Sequence, residues 1–205
     1  MRDVTEVNPK NIWNALKKGN VRFMNFAMTH QNLDATRREE LVTGQKPMAA
    51  VLACSDSRVP VEHIFDQGAG DIFVIRTAGE VLDMGVFASL EFAVEGLGVK
   101  NLIIMGHESC GAVKATEAAL EGGEIPPGFQ RVLIEKVAPS ILNAKRKGMD
   151  TTDDFEIEHV RETVEIVLDR CPVIKQALDE GELGVVGARY RLGDGSVESI
   201  VEHGV

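Results

Sequence analysis

The chain has 205 residues, of which 44% are hydrophobic and 26% charged, close to the averages of folded globular proteins. This composition excludes a disordered chain. The formal charge of −10 argues against a nucleic-acid partner, because phosphate backbones are bound by clusters of lysine and arginine. No apolar run approaches the roughly 20 residues that a membrane-spanning helix needs. We therefore expect one domain over residues 1–205 and no membrane partner.

The N-terminal segment, residues 1–45, is predicted to form a helical arm. Asn8-Pro9 is typical of a helix start, and Ile12, Leu16, Phe23 and Phe26 follow it at roughly helical spacing. A second helix is predicted over about 36–42. Two helices ahead of the first strand could reach across to a partner subunit. Trp13 and the two phenylalanines are interpreted as packing residues of the core or of a subunit contact.

The start of the chain also bears on where the protein resides. Met1–Glu6 lacks the apolar stretch of a secretory signal. Three cysteines make an odd count, which fits metal ligation in a reducing compartment better than a disulfide framework. We therefore predict a cytoplasmic protein. Cys171 is interpreted as a buried apolar residue.

Residues 46–122 repeat a strand, loop and helix pattern that is typical of βαβ crossovers and a parallel sheet. The apolar runs and turn signals predict strands near 48–54, 72–76 and 101–106, and helices near 84–97 and 111–121. This stretch is the predicted α/β core.

Residues 123–205 are predicted to be helical at first and to end in strands. A Pro/Gly break at 125–128 precedes helices over about 129–148 and 154–180. Asp153 and Asp154 are candidate N-cap residues, and Cys171-Pro172 should kink or end the second helix. Strands are expected at 183–190 and 196–200. The predicted fold class is α/β: a central, mostly parallel sheet of four strands plus a C-terminal strand, flanked by helices.

Two polar clusters follow predicted strands directly. Residues 53–60 contain Cys54, and residues 106–111 contain His107 and Cys110. Ligands bind at the carboxyl ends of strands in open α/β sheets, so we expect these side chains to meet. Two thiolates and one imidazole are good zinc ligands, and the sequence therefore predicts one zinc ion per subunit.

Three protein ligands leave the fourth tetrahedral position of zinc open, as in catalytic sites. That position could hold water, hydroxide or Asp56. Water bound there would be acidified to a pKa of about 7 and would supply hydroxide. Asp56 and Arg58 lie two residues apart, so in an extended loop their side chains could pair. We interpret Asp56 as the group that orients this hydroxide and Arg58 as the cation that keeps it ionised.

The ligand spacing alone leaves other interpretations open. A structural zinc site that lacks one ligand, a redox pair of cysteines and a nucleophilic Cys–His pair would all show it. A cysteine-phosphatase loop is excluded, because only three residues separate Cys54 from Arg58.

Three motifs together resemble the β-class carbonic anhydrases: Cys-Ser-Asp-Ser-Arg at 54–58, Arg-Thr-Ala-Gly at 76–79, and Gly-His-Glu-Ser-Cys-Gly at 106–111. The resemblance runs from about Asn11 to the C-terminal strands. It implies zinc-dependent, reversible hydration of carbon dioxide to bicarbonate and a proton. It also implies that Cys54, His107 and Cys110 bind zinc and that Asp56 and Arg58 form the catalytic dyad.

The resemblance further implies a substrate pocket and a subunit arrangement. The substrate-binding residues would be Gln45, Phe73, Ala78, Phe92 and Gly111. A homodimer or a dimer of dimers is implied, in which Gln45 and the apolar pocket walls complete the active site of the partner. An apolar pocket suits carbon dioxide, which is uncharged.

One group of this family carries a bicarbonate pocket that accompanies a closed zinc site. Val51 stands where that group has tryptophan, although Arg76 and Tyr190 match the other two pocket positions. We therefore predict an open site, with zinc not ligated by Asp56 at neutral pH, and no bicarbonate allostery. Glu80, where many members have Asn or His, is interpreted as a solvated or dimer-interface residue.

Two other functions remain as alternatives: hydrolysis of carbon disulfide or carbonyl sulfide by a related zinc site, and a noncatalytic zinc-stabilised binding module. The retained Asp56, Arg58 and Gln45 speak against the second. No proton shuttle is assigned. The other histidines are interpreted as surface or packing residues: His30, His63, His159 and His203.

Overall fold

The computed structural model describes Val4 and residues 6–205. The prediction made on Met1–Glu6 therefore lies outside the described residues, apart from Val4 and Glu6 themselves. Within the described part, the fold is a sheet with helices on both of its faces, as the alternating pattern predicts.

The sheet has five strands: β1 Ala49–Cys54, β2 Ile72–Thr77, β3 Asn101–His107, β4 Gly184–Tyr190 and β5 Val197–His203. Their order across the sheet is β2-β1-β3-β4-β5. The first four strands are parallel to one another and the last is antiparallel to its neighbour, which confirms the predicted topology. Every residue of β1 and β3 is buried, because helices cover both faces of the sheet.

The described residues form eight α-helices, and none of them is long and apolar enough to cross a lipid bilayer. Their bounds are α1 Pro9–Met24, α2 Ala35–Leu41, α3 Val61–Ile64, α4 Met84–Glu91, α5 Gly111–Leu120, α6 Arg131–Arg146, α7 Thr152–Arg170 and α8 Pro172–Asp179.

The helices depart from the prediction in small ways. The predicted helix 84–97 is α-helical only to Glu91 and continues as a π-helical turn over Phe92–Gly96. The N-cap of α7 is Thr151 rather than an aspartate, and Asp154 completes a capping box with it. Cys171 is buried, and the chain leaves α7 there and starts α8 at Pro172.

The two N-terminal helices have different environments. Asn8 caps α1, and Ile12, Trp13 and Leu16 are buried in the core of their own chain. Phe26 lies beyond the end of the helix and is almost fully exposed, so it does not belong to the buried apolar face of α1. By contrast, α2 buries none of its residues. Most of the α2 surface is therefore exposed, and the helix contacts its own chain through Arg37, which donates to the carbonyl oxygen of Ala69.

Candidate active site

The carboxyl ends of β1 and β3 bring the three predicted metal ligands together. Cys54 is the last residue of β1, His107 is the last residue of β3, and Cys110 is the N-cap of α5. All three are buried, and their ligand atoms lie within 4.8 Å of one another. Among the described residues, this is the only group of His, Cys, Asp and Glu with such geometry.

The orientation of the His107 ring suits a metal ion. Its Nδ1 lies 2.9 Å from the carbonyl oxygen of Glu108. A carbonyl can only accept, so the proton is on Nδ1 and the lone pair is on Nε2. That Nε2 atom is buried and has no hydrogen-bond partner among the described residues. A histidine fixed in this way by its second nitrogen is typical of zinc ligands.

The two sulfur atoms complete a donor set that zinc prefers. A hydrogen bond from Cys110 holds the pKa of the Cys54 thiol below its usual range, against the effect of burial, and raises the pKa of Cys110. The backbone N–H of Gly79 also donates to the Cys54 sulfur, at 3.2 Å. The lowered pKa favours the thiolate of Cys54, and a thiolate beside the unpaired Nε2 of His107 fits a zinc ion.

Asp56 and Arg58 form the predicted pair. Arg58 donates to both carboxylate oxygens of Asp56, from Nε at 2.9 Å and from a terminal nitrogen at 2.7 Å. These bonds hold the pKa of Asp56 well below its usual range. One Asp56 oxygen is 3.9 Å from Nε2 of His107. The carboxylate is thus ionised, close to the ligands and engaged by Arg58.

Arg76 fixes the loop between Cys54 and Asp56. Its guanidinium donates to the carbonyl oxygen of Cys54 at 2.7 and 3.0 Å and to that of Asp56 at 2.7 Å. Arg76 therefore holds the backbone of this loop in place beside the site. The two residues that the sequence analysis compared with a bicarbonate pocket together with Arg76 are buried, Val51 completely and Tyr190 nearly so.

A cavity of about 390 Å³ opens at these residues. Cys54, Asp56, Ala78 and Gly111 are among the residues that line it. The remaining wall is largely apolar, with Ala112, Ala115, Pro126, Leu133 and Ile134. A small uncharged molecule would therefore meet the ligands across an apolar surface.

Three predicted pocket residues do not line this cavity: Gln45, Phe73 and Phe92. Gln45 is exposed, and about half of the Phe92 surface is exposed. The rings of Phe73 and Phe92 lie 6.1 Å apart and form one aromatic pair.

Glu80 is the clearest correction to the sequence analysis. It was expected at the solvent or at a dimer interface, but it is buried inside its own chain, with 2% of its surface exposed. One of its carboxylate oxygens has no hydrogen-bond partner among the described residues. Burial raises its pKa well above the usual range, and the charges of Cys54 and Glu156 add to the shift.

Glu156 on α7 is a site residue that the sequence analysis missed. It accepts the backbone N–H of Cys110 at 3.0 Å, and Arg189 of β4 donates to its other oxygen at 2.7 Å. Both side chains are almost completely buried. The available signal was Glu156 and His159 three residues apart among the apolar positions of α7, which is unusual for a helix face that packs on a core.

Sequence comparison finds close relatives along nearly the whole chain. The family model described as carbonic anhydrase matches residues 49–197. A carbonic anhydrase of Mycolicibacterium smegmatis is 48% identical over 191 residues, which cover 93% of each chain. Carbonic anhydrase 2 of Mycobacterium tuberculosis is 46% identical over 188 residues, covering 92% of this chain and 91% of that one.

Solved structures agree with this. One of two tetrameric β-carbonic anhydrases from Sordaria macrospora superposes with a TM-score of 0.72 at 26% identity, covering 93% of this chain and 96% of that one. The Coccomyxa β-carbonic anhydrase, solved with acetazolamide, has a TM-score of 0.70 at 26% identity and covers 89% and 83% of the two chains.

Proposed function

The chain belongs to the β-class carbonic anhydrases, and from this premise we propose that Cys54, His107 and Cys110 hold its zinc ion. The enzyme interconverts carbon dioxide with bicarbonate and a proton. The observation that carries the zinc assignment is the buried, unpaired Nε2 of His107, on a ring that has a nitrogen within 4.8 Å of both cysteine sulfurs. When bound, zinc supplies the Lewis acidity that lowers the pKa of water to about 7.

Asp56 and Arg58 are proposed as the catalytic dyad. Asp56 has only acceptor oxygens while it is ionised, so it can accept a hydrogen bond from the O–H of the attacking water and orient the water oxygen towards carbon dioxide. Arg58 keeps Asp56 ionised and holds it in place through two parallel N–H···O bonds. The walls at Ala78 and Gly111 bring the apolar substrate to this oxygen.

We also propose that the open form is the active one. An Asp56 carboxylate with both oxygens engaged by Arg58 is not free to ligate a metal ion. Arg76 is held on two backbone carbonyls, and Val51 fills the place of the aromatic residue that a bicarbonate pocket requires. Both observations support a site without bicarbonate allostery.

A homodimer or dimer of dimers is proposed to complete the pocket. Gln45 and Phe92 are exposed and Phe73 is half-buried, yet none of the three lines the cavity of its own chain. Contribution of these residues to the active site of a partner explains both facts. Gln45 then supplies an amide that binds substrate, and Phe73 and Phe92 supply apolar wall. The exposed helix α2, four residues before Gln45, is the proposed partner contact.

The alternative functions are not favoured. A noncatalytic zinc module needs no Asp56–Arg58 pair, and the relatives at 46–48% identity are named as carbonic anhydrases rather than as carbon disulfide or carbonyl sulfide hydrolases. We retain the cytoplasm as the proposed location, because Cys54 and Cys110 are free thiols that a reducing compartment preserves.

The test is stopped-flow hydration of carbon dioxide with zinc content measured on the same sample. We expect one zinc per chain and hydration that rises across pH 7–9. Parallel assays with carbon disulfide and carbonyl sulfide should show no comparable turnover. Zinc-replete protein without hydration activity would contradict the proposed function.

A further inference from the structure

His159 on α7 is buried, with 4% of its surface exposed, and it contacts the metal site through the backbone. Its Nε2 lies 2.9 Å from the carbonyl oxygen of Gly79. Its Nδ1 lies 3.0 Å from the hydroxyl of Ser140 on α6. The N–H of the same Gly79 donates to the sulfur of Cys54.

The partners of His159 determine its tautomer. A carbonyl oxygen can only accept, so Nε2 carries the proton and donates to Gly79. Nδ1 then has a lone pair and accepts from the Ser140 hydroxyl. Burial lowers the pKa of His159, which is consistent with this neutral form. Three hydrogen bonds therefore run in one direction, from Ser140 through His159 and Gly79 to Cys54.

The backbone that carries the last of these bonds is strained. Gly79 has φ of +64° and Glu80 has φ of +42°, so two consecutive residues are left-handed. A non-glycine residue in this region costs of order 1 kcal/mol and persists only where its surroundings hold it. A side chain at Gly79 is also excluded, because its Cβ would lie 2.6 Å from that of Ala112.

We propose that His159, oriented by Ser140, is a positioning residue that keeps the Gly79 N–H on the sulfur of the zinc ligand Cys54. The inference rests on the proposed function, since it concerns a residue assigned there to zinc. A hydrogen bond to a ligand sulfur fixes the direction of that sulfur, so loss of the anchor should weaken zinc retention. The same bond withdraws negative charge from the sulfur. Its loss should make the sulfur a stronger electron donor and therefore move the acid limb of the pH–rate profile to higher pH.

The experiment compares two variants of matched size. His159→Leu removes the donor, whereas His159→Gln retains an amide N–H at the position of Nε2. Val164→Ala, five residues further along α7 in a different part of the core, controls for general destabilisation. Each protein is assayed for zinc transfer to a chelator, for the pH–rate profile, and, after cobalt(II) substitution, for the thiolate-to-metal charge-transfer band.

For His159→Leu we expect zinc affinity about tenfold lower, at the small end of the range for groups that support a metal ligand, and a shifted charge-transfer band. His159→Gln should recover most of both changes. Val164→Ala should lower the thermal midpoint and leave the band unmoved. Should His159→Leu fail to fold, Ser140→Ala takes its place, with a smaller change expected in the same direction.

Two results separate the possible failures. If the wild-type protein binds zinc and hydrates carbon dioxide while His159→Leu or Ser140→Ala leaves the band, the zinc affinity and the pH profile unchanged, the positioning role is wrong and the proposed function stands. If the wild-type protein binds neither zinc nor cobalt(II), the proposed function fails and the inference fails with it.

Discussion

Polar groups surround the ligands on two sides, and the two sides are held in different ways. On the outer side, Asp56 and Arg58 lie two residues apart in one loop, and half of the Arg58 side chain is exposed. On the inner side, Glu80 is buried against Glu156 and His159 of α7, which follow it more than 70 residues later in the chain. The groups proposed to meet substrate are thus fixed by local sequence, and the groups behind the proposed ligands are fixed by tertiary packing. Outer changes should alter the rate, and inner changes should alter the stability of the fold or the retention of zinc.

The largest effect is expected from removing one of the proposed zinc ligands, which both sides surround. His107→Ala takes away one of three ligands, so zinc should be lost and hydration should fall to the uncatalysed background. Metal analysis and stopped-flow assays measure this. Cys171→Ala is the matched control, because Cys171 is a buried cysteine outside the cluster and its loss should keep zinc at one per chain. Full zinc content in His107→Ala would contradict the ligand assignment.

Asp56→Asn tests the outer side. The amide cannot replace the carboxylate as an acceptor at both positions, so we expect kcat to fall about 10–100-fold with zinc content unchanged. The free energy of unfolding should fall by less than about 1 kcal/mol, because the pair that is lost with Arg58 is partly exposed. Asp194→Asn, in an exposed turn, is the control. Loss of zinc from Asp56→Asn would show that its role is structural.

Glu156→Gln tests the inner side. It breaks a buried ion pair with Arg189 and leaves that guanidinium with only the more exposed Asp153. We expect the free energy of unfolding, measured with urea, to fall by about 3 kcal/mol. The exposed pair of Arg191 and Glu198 gives the comparison. Glu198→Gln should change the free energy of unfolding by less than about 1 kcal/mol. Equal effects of the two substitutions would remove the contrast between the sides.

Glu80→Gln should have the smallest effect and the opposite sign. The raised pKa of Glu80 means that the folded state binds a proton that the unfolded state releases above about pH 4.3. Wild-type stability therefore falls as the pH rises through this range, and the neutral amide escapes that loss. We expect Glu80→Gln to be about 1 kcal/mol more stable than wild type at pH 8, with a smaller difference at pH 5. A difference that is independent of pH would contradict the buried, protonated carboxyl.

The sequence was most informative where the chain itself brings residues together. Cys54, Asp56 and Arg58 occupy one loop, and His107 and Cys110 another, so only the register of two parallel strands was needed to join them. The apolar runs predict two strands buried on both faces of a parallel sheet, whose carboxyl ends lie at the same edge.

The sequence was least informative where burial depends on distant packing. Glu80 is polar and lies next to a turn, which predicts a solvent-exposed side chain. It is instead packed beside His159 of α7, which lies about 80 residues later in the sequence. Glu156 and His159 needed the same knowledge of how α7 packs. Gln45, Phe73 and Phe92 remain predictions, because their proposed role depends on a second chain.

Gly106 has a consequence for protein design. A Cβ at this position would lie 2.5 Å from Val160 of α7 and 3.1 Å from the carboxylate of Glu80. The missing side chain therefore lets a helix and a buried acid approach the strand that ends in His107. Transplanting the two ligand loops onto another parallel sheet would reproduce the motif but not this support. A metal site that can be transferred would have to include Gly106, helix α7 and the turn at Gly79 and Glu80 as one unit.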